Sequence, residues 1–199
     1  GHQIMLGLPG DNFQKDISSV KQSIDMKPDI YRIYPSLIIK NTSMEDIYKK
    51  GMYSPYSLEE AIYITKILYC MLISNKINII RVGLQPTEEI NVGAEIVSGP
   101  FHPAFRELVI GSIYSEFLRK NIPYNYSGKV KIQINGKDIS KLYANGKRFF
   151  NDVKLQLNVS KIQVVQDNSL KRDTFILSLE EDERKLYFDI YLASKDFKY

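Results

Sequence analysis

Three groups of residues in this 199-residue chain have types and spacings suited to chemistry. The first is Gln3-Ile4-Met5-Leu6-Gly7-Leu8-Pro9-Gly10-Asp11, an apolar strand that carries one polar side chain, Gln3, into a glycine-bounded turn. Gly7 and Gly10 allow a tight turn there and, second, the close approach of a bound molecule to the backbone. The next group stands at later strand ends: Tyr34 and Pro35, then Lys40, then Arg81 and Gln85. Lys40 can reach a substrate anion, although a solvated lysine is the plainer reading. The last group, Lys141, Lys147 and Arg148, flanks the segment Ala144-Asn145-Gly146-Lys147-Arg148 and suits phosphate contacts that would weaken with salt.

Other reactive types are scarce. Cys70 is the only cysteine, which excludes an internal disulfide, a zinc knuckle or a cysteine-ligated cluster built from these residues alone. It lies in the apolar run Ile67 to Leu72, where a buried small hydrophobe is expected. His2 and His102 are the only histidines, so a histidine-rich metal site is excluded. His102 and Arg106 stand four apart across Pro103. We expect His102 to close the start of a helix there rather than pair with Arg106 around an anion.

Forty-four per cent of the residues are hydrophobic and 25% charged, the composition of a globular protein with one or two cores. No window reaches the roughly 18 uninterrupted apolar residues of a membrane helix, so no membrane is expected as a partner and a cytoplasmic location is the default expectation. The net charge of +4 is unevenly spread: residues 129 to 172 hold 10 Lys or Arg against 3 Asp. A nucleic-acid footprint and a solvated lysine surface are both readings of that excess.

The elements that must hold these groups follow from periodicity. After the strand at Gln3 to Gly10, Asp11 is placed to cap a helix whose apolar stripe is Phe13, Ile17, Val20 and Ile24. A second strand runs from about Ile30 to Ile39, and strand-helix-strand predicts parallel pairing. Parallel strands are normally covered on both faces, so this pair is expected to have neighbours, and the chain reads as starting inside a sheet. Thr42 with Glu45 and Ser57 with Glu60 have capping-box spacing for a short helix ending at Gly51 and a long helix over Leu58 to Asn75. Ile77 to Val82 is a third strand, 86 to 102 is irregular, and Pro103 opens a helix to Lys120. The best boundary is Asn121 to Gly128, giving domains of 1–125 and 126–199. Beyond it we expect a strand at Val130 to Ile134, helices at Asp138 to Tyr143 and Arg148 to Leu157, and strands at Ile162 to Val165, Thr174 to Leu179 and Leu186 to Leu192.

Taken in order, Gln3 to Asp11, Tyr31-Arg32-Ile33-Tyr34-Pro35-Ser36-Leu37-Ile38-Ile39-Lys40-Asn41-Thr42, Gly51-Met52-Tyr53, Arg81-Val82-Gly83-Leu84-Gln85 and Gly99-Pro100-Phe101-His102-Pro103 resemble radical SAM proteins of the Elongator-catalytic-subunit-like and oxygen-independent coproporphyrinogen oxidase-like kind. The resemblance covers about three fifths of the chain. It implies an α/β fold, the C-terminal fragment of a partial (β/α) barrel with parallel strands, in an oxidoreductase-type enzyme that uses SAM and a 4Fe-4S cluster. The three-cysteine cluster motif belongs to the N-terminal half in that family. This chain is therefore expected to need that half as a partner, to bind no cofactor by itself, and to be inactive alone.

Under the resemblance, Gln3, Gly7, Gly10, Tyr34 and Pro35 would line the SAM pocket, and Arg81, Gln85 and Lys40 would meet substrate at the barrel mouth. For Gln3, a contact to SAM and a backbone-pairing strand residue both stay open. The zinc and acetyltransferase signatures of the Elongator subunit are not seen after Leu108. The order of elements over 129–179 instead resembles a KH-like RNA-binding module, with one glycine where that family has two. On the KH-like reading tRNA would be a partner, through Lys141, Lys147 and Arg148; with the second glycine missing, a small α+β domain that stabilises the barrel or forms a dimer interface is the plainer reading. The alternatives are an RNA-binding or dimerising role without catalysis, the latter through an exposed sheet edge that pairs with a second copy.

Overall fold

A computed structural model describes residues 1–87, 90, 95–157 and 159–194. These fall into two compact units, Gly1–Val109 and a second that begins at Ile110. The division runs inside one helix, whereas the sequence pattern changes at Asn121 to Gly128.

The first unit is built on a three-stranded sheet of order β1-β2-β4, from β1 (His2–Leu6), β2 (Ile30–Pro35) and β4 (Asn78–Val82), parallel throughout. The neighbours expected for β1 and β2 thus include β4. Two longer helices, α1 (Phe13–Asp25) and α3 (Leu58–Ser74), pack beside each other and against it. Alternation fixes which residues they cover: Leu6, Tyr31, Ile33, Ile79 and Val82 are buried, together with Ile17 and Val20 of α1 and Ile64, Leu68 and Leu72 of α3. Cys70 is buried in α3, as its apolar surroundings predict.

Ser57 caps α3 with the full reciprocal box, its side chain accepting from the Glu60 N–H while Glu60 accepts from the Ser57 N–H. Two local expectations are corrected. The cap of α1 is Asn12, whose side chain accepts from the Lys15 N–H at 3.0 Å, and Asp11 instead accepts from the Asn12 N–H. Thr42 caps α2 (Ser43–Lys49), but Glu45 reaches back to the N–H of Asn41, one residue short of closing a box.

The strand expected over Ile30 to Ile39 is also shorter than its pattern suggests. Pro35 has no N–H to extend the ladder, the Ser36 N–H donates to Leu6 O, and the chain then leaves the sheet. Ile38–Ile39 forms a separate strand, β3, antiparallel to β5 (Ile96–Ser98). So the stretch expected to be irregular contains a short strand; residues 88, 89 and 91–94 of it lie outside the described residues.

The second unit holds most of α4 (Phe105–Asn121) and a four-stranded mixed sheet of order β7-β6-β8-β9, made of β6 (Lys129–Ile134), β7 (Lys161–Gln166), β8 (Thr174–Leu179) and β9 (Asp182–Tyr187). Between β6 and β7 come a 3-10 turn (Gly136–Asp138), α5 (Ile139–Leu142) and α6 (Arg148–Gln156). Such a crossover is what lets β6 and β7 pair in parallel. Val130, Ile132, Ile134, Phe175, Leu177 and Leu179 form the buried face. Tyr114 and Phe117 of α4 pack edge-on against Phe175 and against Phe188 of α7 (Phe188–Ser194).

That last helix corrects the expected strand at Leu186 to Leu192. Leu186, Phe188, Ile190 and Leu192 alternate, but Phe188 and Leu192 are buried while Ile190 is 62% exposed, the four-residue step of a helix. The strand lies earlier, in the charged run, where β9 closes the sheet edge with Glu183, Arg184 and Lys185.

Candidate functional site

Because β1, β2 and β4 are parallel, their carboxyl ends lie along one margin, and the turns there carry Gly7, Pro35 and Gly83. At Gly7 the backbone is left-handed, φ +67°, and a Cβ would meet the Tyr56 ring at 2.7 Å. Only glycine lets the strand turn this sharply beneath that ring. The Tyr53 hydroxyl donates to Gly7 O at 2.5 Å, and the Tyr56 hydroxyl donates to Asp16 Oδ2 at 2.9 Å. Asp16 is almost completely buried, and its Oδ1 has no hydrogen-bond partner among the described residues. Burial, partly opposed by the Tyr56 hydrogen bond and reinforced by Asp11, raises the Asp16 pKa to about 7. Burial and the Asp16 carboxyl push the Tyr56 hydroxyl pKa upward in turn.

Among the described residues, no helix covers the sheet face opposite α1 and α3. Met5, Ile30 and Ile80 stand exposed on it, unusual for parallel strands. Register places Gln3 beside Arg32 and Arg32 beside Arg81, so a row of amide, guanidinium and guanidinium crosses all three strands. In the next row toward the carboxyl ends Met5 lies beside Tyr34. A bulge in β4 makes the row possible. Pairing slips between Tyr31 and Arg32, so that Ile80 is passed over and Arg81 becomes the partner of Arg32. Regular pairing would send Arg81 to the helix-covered face; the bulge keeps it exposed and returns Val82 to the core.

Gln3, Tyr34 and Arg81 therefore share the open face. Pro35 pairs with Leu6 and is buried with it, Gly10 sits at φ +80° in the turn after β1, and Gln85 is exposed beyond β4. Lys40 lies directly after β3, its N–H donating to Glu95 O, and is not on the strands that carry the row of three. His102 Nδ1 accepts from the Ala104 N–H at 3.1 Å and sits at the start of α4. Arg32, Asp16, Tyr53 and Tyr56 were not among the residues singled out from sequence. Arg32 was hidden because its significance depends on a partner about fifty residues away.

In the second unit, Asn145, Gly146 and Lys147 are consecutive left-handed residues between α5 and α6. Lys147 and Arg148 are exposed, with Lys147 Nζ 4.4 Å from the Tyr143 ring centroid. Lys141 is committed elsewhere, 3.0 Å from both Asp138 and Asp173. Asp138 is wholly buried, and Arg172 also binds it at 2.6 Å. Burial acts to raise its pKa, but Arg172, the Asp173 N–H and Lys141 together hold it below the usual carboxylate value. Tyr114 donates to Asp173, and burial together with that carboxylate raises the Tyr114 pKa.

The first unit thus defines a parallel α/β domain whose polar groups gather on one open face and one strand margin. Residues 28–115 match the family described as the Radical_SAM C-terminal domain. A tRNA uridine(34) acetyltransferase of Methanocaldococcus jannaschii is 39% identical over 66 residues, which is 32% of this chain and 12% of the relative. The same-named protein of Methanocaldococcus infernus is 36% identical over 64 residues, 31% of this chain and 12% of the relative. An uncharacterized protein of M. jannaschii is 34% identical over 65 residues, covering 19% of its length. The chain thus spans about an eighth of the length of the acetyltransferase relatives. These matches give no support to an oxidoreductase or coproporphyrinogen oxidase-like reading. No helix among the described residues is long and apolar enough to cross a membrane.

Proposed function

We propose that this chain serves radical SAM-type modification of tRNA, its first unit supplying part of the SAM and substrate pocket of a partial barrel and its second a basic α+β accessory domain. The observation that carries this is the open face: a parallel sheet covered on one side only, bearing Gln3, Arg32 and Arg81 in one row, within a chain whose residues 28–115 match the Radical_SAM C-terminal domain. The tRNA part is supported by the two acetyltransferase relatives, both named for uridine 34 of tRNA.

The 4Fe-4S cluster, which supplies the electron that cleaves SAM, does not fit the residues here. Cys70 is one buried thiol where the cluster needs several thiolates, so no step is assigned to this chain's residues through it. SAM fits the open face better, since its carboxylate is an anion that the Arg32 guanidinium can bind in a forked geometry, and Gln3 offers an amide beside it. Gln3, Gly7, Gly10, Tyr34 and Pro35 are proposed on the cofactor side and Arg81, Gln85 and Lys40 on the substrate side.

The test is the genomic sequence preceding Gly1 and its neighbouring reading frames. A Cys-x-x-x-Cys-x-x-Cys-like motif in the same frame, or in an adjacent gene whose product co-purifies with this chain, is the expected result. A complete operon without such a motif overturns the reading.

A further inference from the structure

The second unit presents another open face, on which lysines outnumber carboxylates. In β6 and β7, Lys129 is the direct partner of Lys161 and Lys131 of Gln163. In β8 and β9, Lys185 is the partner of Ile176 on the same side of the sheet. The opposite face is buried against helices, so these lysines point away from the core. The ammonium groups of Lys129, Lys131 and Lys161 have no hydrogen-bond or ion-pair partner among the described residues. Like charges placed directly across a sheet repel, and the fold gains nothing by holding Lys129 opposite Lys161.

The three lysines rim a groove of about 650 Å³, with Ser160, Gln163 and Ser178 along its walls. Glu180 closes one end, and Glu183, which accepts from the Ser178 hydroxyl at 3.2 Å, stands two strands from Lys131 in the same row, so the basic part of the face is its β6-β7 side. The groove is poor in the aromatic and aliphatic anchors that make protein-protein hot spots, and lysine is depleted at the centres of such interfaces. A chain of negative charges complements it instead. Lys129 and Lys131 are about 7 Å apart along β6, from a rise of about 3.4 Å per residue, and Lys161 sits about 5 Å to the side. That spacing lets one flexible backbone touch all three. Tyr187 is 42% exposed on the same side, with Lys185 Nζ 5.8 Å from its ring, and offers a surface on which an unpaired base can stack.

We propose that this sheet face, rather than the loop at residues 144–148, binds a single-stranded stretch of RNA through Lys129, Lys131 and Lys161 on the phosphates and Tyr187 on a base. The proposal rests on the tRNA reading above and gives that partner a surface. The inter-helical loop is the weaker platform because Lys141 is tied to Asp138 and Asp173, which reduces its exposed cations to two, Lys147 and Arg148.

The experiment titrates the whole chain against a fluorescently labelled RNA of about 12 unpaired nucleotides, a length in the range small folds cover, and against unfractionated tRNA, at several salt concentrations. Three or four phosphate contacts give a slope of log affinity on log salt of roughly −2 to −3. Lys129→Ala with Lys131→Ala and Lys161→Ala should flatten that slope by about 2. The corresponding three Lys→Arg changes should retain binding, and Lys147→Ala with Arg148→Ala should leave the slope in place. All these residues are exposed, and thermal melting of each variant reports whether it folds.

An unchanged slope in the triple Ala variant, or a loss confined to the Lys147 and Arg148 variant, overturns the sheet-face assignment while leaving tRNA as partner. No binding to either RNA overturns the assignment as well, whereas the radical SAM reading is decided separately by the cysteine motif. A dimer in light scattering that dissolves in the triple Ala variant, with no RNA bound, would make the face a contact between copies and also overturn it.

Discussion

Arg32 and Arg81 are register partners on adjacent parallel strands, and both side chains stand exposed on the uncovered side of the sheet. Two guanidinium groups held side by side repel by a few tenths of a kcal/mol or more, and a shared anion turns that cost into affinity. Arg32→Gln or Arg81→Gln should leave the melting temperature in plain buffer unchanged or slightly higher. The rise in melting temperature on adding inorganic phosphate should shrink by at least half in either variant. Full phosphate stabilisation of both variants would show that the pair does not bind anions.

The Asp16 carboxyl gives the first unit a pH dependence of definite sign. Its pKa is about 7 in the fold and close to 3.8 when unfolded, so the folded state holds the extra proton between those values. Stability is fully present below pH 4, falls as pH rises toward 7, and levels off above it. Asp16→Asn keeps an acceptor for the Tyr56 hydroxyl without the buried charge. Urea unfolding should find that variant more stable than the parent at pH 8 and indistinguishable near pH 4; equal stability at pH 8 would remove the case for a protonated Asp16.

Asp138 runs the other way. Its folded pKa is depressed by Arg172, the Asp173 N–H and Lys141 despite burial, so its contribution is present above the unfolded value near 3.8 and is lost as pH falls through the lower folded value. Asp138→Asn takes the buried carboxylate from Arg172 and one of the two carboxylates that hold Lys141, and should cost about 3 kcal/mol at pH 7, the scale of breaking one side of a buried pair. Chemical denaturation at pH 7 measures it, and a loss below about 1 kcal/mol would mean that water replaces the carboxylate.

At Gly7, alanine meets two penalties together. The left-handed backbone costs about 1 kcal/mol, and a Cβ 2.7 Å from the Tyr56 ring adds about 1 to 3 kcal/mol of overpacking. Gly7→Ala should therefore lower unfolding free energy by about 2 to 4 kcal/mol, whereas Gly10→Ala, with nothing within 4 Å, should cost only the backbone part. Equal losses at the two glycines would argue against the contact with Tyr56.

Most elements were legible because their signals are local. Ser57 and Glu60 announce the start of α3 by spacing alone, and Thr174 to Leu179 is a short apolar run whose expected and observed strand bounds coincide. Errors arose where two periods overlap: Leu186 to Leu192 satisfies a strand pattern, and only the exposure of Ile190 between buried Phe188 and Leu192 shows a helix. The candidate site was half legible. Gln3, Tyr34 and Arg81 announce themselves as polar or aromatic residues in apolar strands, but Arg32 becomes visible only once register sets it between Gln3 and Arg81. Nor does alternation alone put Lys129 opposite Lys161, since parallel register across an intervening crossover has no short-range signature.

The bulge in β4 leaves the strand carrying one residue more than its ladder uses. Ile80 is a spare: deleting it would let Arg81 follow Ile79 in regular alternation, still opposite Arg32, with Val82 still in the core. Inserting a residue after Arg81 has no such slack and would turn Val82 outward. The arginine pair thus tolerates a shortening of its strand but not a lengthening, so the direction of an insertion or deletion there matters more than the identity of the residue gained or lost.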